Sequence, residues 1–147
     1  MNKLYPAVLL ATILHSAPSY AGRGINIFID NSSDGTISVQ YKGDTCWYPN
    51  DMGHDFNISP DDDVQKYTEI KSSGVCPSQP SRLFFTIRDV KFQIKGTNGD
   101  IGSDYKHICT DSSAGFEVAT LGQVPSKMKI TCDSLSDRGI LKIKVKN

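Results

Sequence analysis

The sequence predicts a small all-β domain, an antiparallel β-sandwich or barrel of about nine to ten short strands stapled by two disulfides. Three observations carry that expectation. Apolar and polar residues alternate with a period of two through most segments, as in Ile25, Ile27 and Ile29. Clusters of Asn, Asp, Ser, Gly and Pro separate those segments at the spacing typical of sandwiches and barrels. No segment shows a convincing helical period.

Taken in order, residues 24–30 (GINIFID) form a half-buried strand with three isoleucines on one face. Residues 31–35 (NSSDG) are a turn by composition, since such side chains bond locally or tolerate positive φ. Alternation resumes over residues 36–42 with Ile37, Val39 and Tyr41, and the two strands are expected to pair as an opening hairpin. The aromatic loop Cys46-Trp47-Tyr48-Pro49 follows, then a polar stretch to His54 and a short strand at 56–58. Pro60 and Asp61-Asp62-Asp63 make an acidic turn ahead of a weakly alternating strand at 64–71. Residues 72–81, rich in Ser and Pro, read as a loop anchored by Cys76.

Strands at 83–88 and 90–95 come next. Asn98-Gly99 is the strongest short hairpin signal, with 105–110 as its return strand. After a turn at 111–115, strands are expected at 116–121, 128–132 and 140–146. There is no internal repeat of fixed period.

The first 21 residues are a separate unit. Lys3 gives a positive start, an apolar run spans Ala7 to Leu14, and Ser19-Tyr20-Ala21 supplies small residues where a signal peptidase cuts. The run is too short to cross a bilayer, and no second hydrophobic segment follows. Residues 1–21 therefore read as a cleaved signal peptide and residues 22–147 as one exported domain, secreted or retained in a periplasm. Export makes nucleic acid an improbable partner and predicts no transmembrane segment in the mature chain.

All four cysteines, Cys46, Cys76, Cys109 and Cys132, fall in the exported part. An even count in such a chain favours disulfides. Of three pairings, Cys46–Cys76 with Cys109–Cys132 is preferred, because each closes a loop within its own half. Such loops stabilise by about 3 kcal/mol each. Spacings of 30, 33 and 23 residues, without Cys-x-x-Cys, are unlike zinc sites.

The net charge is zero, yet it is segregated. Residues 22–80 carry nine Asp/Glu against four Lys/Arg, and residues 81–147 carry seven against eleven. The lysines of the second half recur on alternate positions: Lys91 and Lys95; Lys127 and Lys129; Lys142, Lys144 and Lys146. Each set should face solvent if Ile and Val face the core. On neighbouring strands they would form a basic surface for phospholipid headgroups, acidic sugars or an acidic protein. The alternative is edge-strand protection. Trp47 and Tyr48 are the other candidate contacts, suited to a sugar ring or a membrane interface. Against that, a sole tryptophan in a small sandwich is commonly core.

Catalytic and metal signals are weak. Asp30-x-Ser32-x-Asp34-Gly35 opens like a calcium loop but has Tyr41 where the bidentate glutamate belongs. It reads first as a hairpin turn, as Asp61–Asp63 reads as a solvated one. His54 and His107 are the histidines left after cleavage, and neither Gly-x-Ser-x-Gly nor His-Glu-x-x-His occurs. The chain is read as a non-enzyme without cofactor; a small hydrolase built on either histidine is the catalytic alternative. Asn31 and Asn57 head glycosylation sequons, relevant in a eukaryotic source.

The opening Ile-x-Ile-x-Ile-x-Asn-x-Ser (25–33), a following aromatic loop and later Phe84-Phe85-x-Ile87-x-Asp89 loosely resemble aegerolysin-type and related small cytolysin sandwiches. About half the exported chain follows that outline. The resemblance implies membrane-lipid binding. The chain departs from the pattern in its leader, its cysteines and its single tryptophan.

Together these features predict a secreted, toxin-like or effector-like binding protein that engages lipid or glycan on a target cell. Trp47, Tyr48 and the lysines would be its contacts. The rival expectation is a periplasmic inhibitor or immunity protein that presents residues 72–81 or the acidic segment 51–63 to a hydrolase or toxin.

Overall fold

Eleven strands and two short 3-10 turns make up the computed structural model, which describes residues 23–96, 99–135 and 138–147. The expected signal peptide (1–21) and Asn98 of the expected Asn98-Gly99 turn lie outside the described residues. In chain order the strands are β1 (Gly24–Ser32), β2 (Ile37–Thr45), β3 (Trp47–Tyr48), β4 (Phe56–Ile58), β5 (Asp62–Ile70) and β6 (Arg82–Ile87). They continue as β7 (Val90–Lys95), β8 (Tyr105–Asp111), β9 (Phe116–Leu121), β10 (Met128–Leu135) and β11 (Arg138–Lys146). The 3-10 turns are Asn50–Met52 and Cys76–Ser78, and no α-helix occurs among the described residues.

The strands form two open sheets, a five-stranded one ordered β10-β11-β1-β5-β3 and a six-stranded one ordered β4-β2-β6-β7-β9-β8. The all-β expectation holds, and neither sheet closes on itself. Alternation decides which face each strand buries. Ile25, Ile27 and Ile29 of β1 are wholly buried, as are Leu141, Ile143 and Val145 of β11. From the six-stranded sheet, Ile37, Val39, Leu83, Phe85, Ile87, Phe92, Ile94 and Val118 join the same hydrophobic cluster. Phe85 and Phe92 stack at its centre with ring centroids 4.8 Å apart.

Three expectations about neighbours need correction. β1 and β2 do not form a hairpin: β1 has β11 and β5 on its two sides, and β2 pairs with β4 and β6 in the other sheet. The expected turn is instead a crossover, fixed by a buried amide. Asn31 Nδ2 donates to the carbonyls of Gly35 (2.9 Å), Ile58 (3.0 Å) and Ser59 (2.9 Å), tying the end of β1 to the loop after β4. β7 and β8 are not partners either, because β9 runs antiparallel between them. Finally, the architecture is not wholly antiparallel, since β1 and β11 pair in parallel.

Both disulfides have the preferred pairing, Cys46–Cys76 and Cys109–Cys132. Each sits where the sheets meet. Cys46 lies between β2 and β3, where the chain leaves one sheet for the other, and Cys76 lies in the crossover from β5 to β6. Cys109 and Cys132 join β8 to β10, an edge strand of one sheet to an edge strand of the other.

Candidate functional site

The outer face of the five-stranded sheet gathers most of the sequence-predicted contacts. β10 and β11 are antiparallel neighbours, and their register sets Lys129 opposite Lys144 and Thr131 opposite Lys142. One step further along, the amide of Lys146 donates to the carbonyl of Lys127, so those two lysines also lie side by side. Alternation points all five lysines away from the core, because Met128, Leu141, Ile143 and Val145 between them are buried. The result is two consecutive cross-strand lysine pairs with Lys142 beyond them.

The opposite wall is acidic. β1 pairs with β11 so that Asp30 lies opposite Lys144, and β5 pairs with β1 so that Asp63 lies opposite Asp30. Lys129, Lys144, Asp30 and Asp63 thus form one row across four strands with charges +, +, −, −. Phe28, half-buried, sits beside Lys142 in the next row. Between the walls runs a depression of about 510 Å³, with Phe28 and Thr131 in its lining and Asp61, Asp62 and Asp63 on its acidic side. The segregation of charge between the two halves of the sequence reappears here as the two walls of one groove.

Only the middle of the row is neutralised internally. Lys144 Nζ lies 2.5 Å from Asp30 Oδ2, and Ser32 Oγ donates to Asp30 Oδ1 at 2.6 Å. These two hydrogen bonds, led by that from Lys144, hold the Asp30 carboxyl below its ordinary value against the opposing effect of burial. A lowered carboxyl contributes stability above the unfolded pKa, and loses it as pH falls through the folded one. With side-chain exposures of 43% and 41% the contribution is screened and small. Lys142 makes a looser 3.9 Å contact with Asp133. Lys129 and Asp63, the ends of the row, have no ion pair among the described residues.

The remaining predicted contacts lie outside this groove. Lys91 and Lys95 are on β7, on the outer face of the other sheet, so the lysine sets do not make one surface. Lys91 borders a second groove with Lys42, Phe84 and Tyr105. Lys95 is paired with Glu117 at 3.0 Å. Trp47 corrects the ligand-facing expectation: it has no exposed surface, and its Nε1 donates to Thr68 Oγ1 inside the core. The two-residue β3 explains why, since Trp47 opposite Ile70 faces inward and Tyr48 opposite Glu69 faces outward. Tyr48 is 42% exposed, with Lys71 Nζ 4.8 Å from its ring centroid.

The polar motifs are largely engaged in structure. Asp55 and Asp51 accept backbone amides from Tyr41 and Tyr67. His107 Nε2 lies 2.7 Å from Thr110 Oγ1 and 3.7 Å from Glu117, whereas His54 packs near Phe56 in a different loop. The histidines are thus not brought together. Asp30 is held by Lys144 and Ser32, and no group of three or more His, Cys, Asp or Glu is placed to hold a metal among the described residues. Asn31 is wholly buried and bonded, which leaves Asn57 as the exposed sequon. No helix among the described residues is long and apolar enough to cross a membrane. Sequence reasoning did not join the acidic wall or Phe28 to the lysines, because nothing local links Asp30, 114 positions from Lys144, or Asp63 to the distant β10 and β11.

No protein-family model matches this chain, and no curated protein matches it.

Proposed function

We propose that this chain is an exported, disulfide-stapled two-layer β-sandwich that acts by binding, and that its ligand is the anionic surface of a target cell. The contact is the lysine ladder of β10 and β11. One observation carries the reading: β11 is an interior strand, flanked by β10 and β1. Edge protection accounts for Lys127 and Lys129 on or beside the edge strand, but an interior strand needs none. Like charges directly opposite each other destabilise a sheet. A ladder of such pairs on an interior strand is therefore better explained by an anion it meets. Lipid phosphate is the first candidate, and an acidic glycan presents the same chemistry.

The test is vesicle co-sedimentation with anionic and with zwitterionic phospholipid, across a salt series, alongside an acidic-glycan array. Replacing Lys127, Lys129, Lys142 and Lys146 by Ala, and sparing Lys144 in its ion pair, removes four charges. At about 1 kcal/mol per lysine near an anionic surface, affinity should fall roughly a thousandfold. Binding that ignores both salt and the fourfold variant sinks the proposal, as does an absence of binding to every anionic surface tested.

One observation favours a second reading as an inhibitor of a hydrolase or toxin. Val75, next to Cys76 in the loop tethered by Cys46–Cys76, is 73% exposed, the most exposed large apolar side chain described. Its backbone is helical rather than extended (φ −84°, ψ −10°), so it would plug a cleft rather than mimic a substrate strand. A protein partner lost on Val75→Asp, with no lipid or glycan affinity, favours this reading.

A further inference from the structure

We propose that the outer face of the five-stranded sheet is also a self-association surface, on which a second copy of this chain docks face to face about a two-fold axis parallel to β11 and β1. This inference does not rest on the ligand reading. Its basis is the row Lys129–Lys144–Asp30–Asp63, whose order +, +, −, − is fixed by three registers. A two-fold axis running along the strands, between β11 and β1, reverses the row. Lys129 then faces the second copy's Asp63, and Lys144 faces its Asp30. Symmetry repeats each contact, so eight charges make four opposed pairs.

The flanking row obeys the same operation. Phe28 is opposite Lys142 across β1 and β11, so the axis sets the aromatic ring of each copy against the ammonium of the other. The other simple in-plane axis, across the strands, sets Lys129 against Lys129 and Asp63 against Asp63. Charge therefore selects one orientation and rejects the alternative. The depression between the walls supplies room for the incoming lysines. Facing sheets stack ~10 Å apart, a gap that a lysine and an aspartate span together.

Area sets the strength. Four strands at ~4.8 Å, each about nine residues at ~3.3 Å, give a planar footprint of roughly 570 Å² per copy, below the ~800 Å² of a standard interface. The dimer should accordingly be reversible and weak, held by opposed charges that salt screens. It covers the lysine ladder, so self-association and binding to an anionic surface exclude each other.

Sedimentation velocity on the purified protein, from about 10 μM to about 1 mM at low salt, reads the equilibrium directly. A monomer–dimer equilibrium that dissociates at about 0.5 M salt is expected. Lys129→Glu places two acidic groups face to face, and Asp63→Lys places two basic ones, so each variant should be monomeric throughout. The double variant Lys129→Glu/Asp63→Lys restores both pairs with reversed sign and should dimerise like the parent. An equal mixture of the two single variants should form heterodimers. Recovery in the double variant also shows that neither single variant had merely unfolded. A parent that stays monomeric at the highest concentration overturns the proposal, as does a dimer indifferent to the single changes or not recovered in the double. Vesicle binding by a strictly monomeric protein would sink this inference alone; dimerisation without vesicle or glycan binding would sink the ligand reading alone.

Discussion

Replacing Trp47 by Phe separates a structural tryptophan from a ligand-facing one. The indole is wholly buried, and its N–H reaches Thr68 Oγ1, which in turn donates to the carbonyl of Tyr48 at 3.0 Å. Phenylalanine removes the donor, at about 1 kcal/mol for a buried hydrogen bond. It also removes buried ring atoms worth roughly 1.5 kcal/mol of apolar burial and packing. Thr68 keeps its bond to Tyr48, so no donor is stranded. The expected loss is about 2.5 kcal/mol, which for a domain of this size lowers the melting temperature by roughly 10 °C. Urea and thermal unfolding followed by far-ultraviolet circular dichroism measure it, since the variant lacks the sole tryptophan needed for fluorescence. Tyr48→Ala is the matched control and should stay within about 1 kcal/mol of the parent. Two results would refute the reasoning: Trp47→Phe as stable as the parent, or parent emission quenched by iodide as freely as indole in water.

Other consequences can be measured with the same preparations. Removing Cys46–Cys76 or Cys109–Cys132, with separations of 30 and 23 residues, should cost about 3.6 and about 3.4 kcal/mol by loop entropy. Hydrogen exchange in the Cys109/Cys132 variant should rise first in β8 and β10, and uniform exchange would contradict the edge-to-edge role of that bond. Burial, then a hydrogen bond to Asp44, pushes the Tyr41 hydroxyl up to about 12. A raised acid favours the folded state below its unfolded pKa of about 10 and loses that advantage as pH rises toward 12. Stability should therefore fall between pH 10 and 12, and Tyr41→Phe should reduce that fall in unfolding curves measured across the range.

The period-two pattern carried the strands themselves, because burial on one face constrains each segment independently of its partners. Ile25, Ile27 and Ile29 announce their face wherever β1 sits. Partnership is a different matter. A polar turn after β1 predicted a hairpin, but Asn31 spends its amide on the loop after β4, and no local pattern signals that. The cysteine pairing was legible because loop closure within each half suffices to choose it. The lysines were legible as outward-facing, yet their joining into a ladder depends on β10 lying against β11, and their acidic counterpart depends on the distant β1 and β5. Trp47 was the ambiguous case. Its neighbours in sequence are a cysteine, a tyrosine and a proline, and only the inward turn of a two-residue strand assigns it to the core.

The parallel pairing of β1 with β11 fixes the order in which this molecule can assemble. Asp30 and Lys144, 114 positions apart, must meet in the interior of a sheet rather than at its rim. Until β11 arrives, β1 has one neighbour and an open edge. The centre of the sheet therefore closes late, after the largest loss of chain freedom, which marks slow folding with a high contact order. A chain stopped short of β11 would leave β10 tied by Cys109–Cys132 to the six-stranded sheet and cut off from its own. Such a chain keeps its cross-link and loses its core.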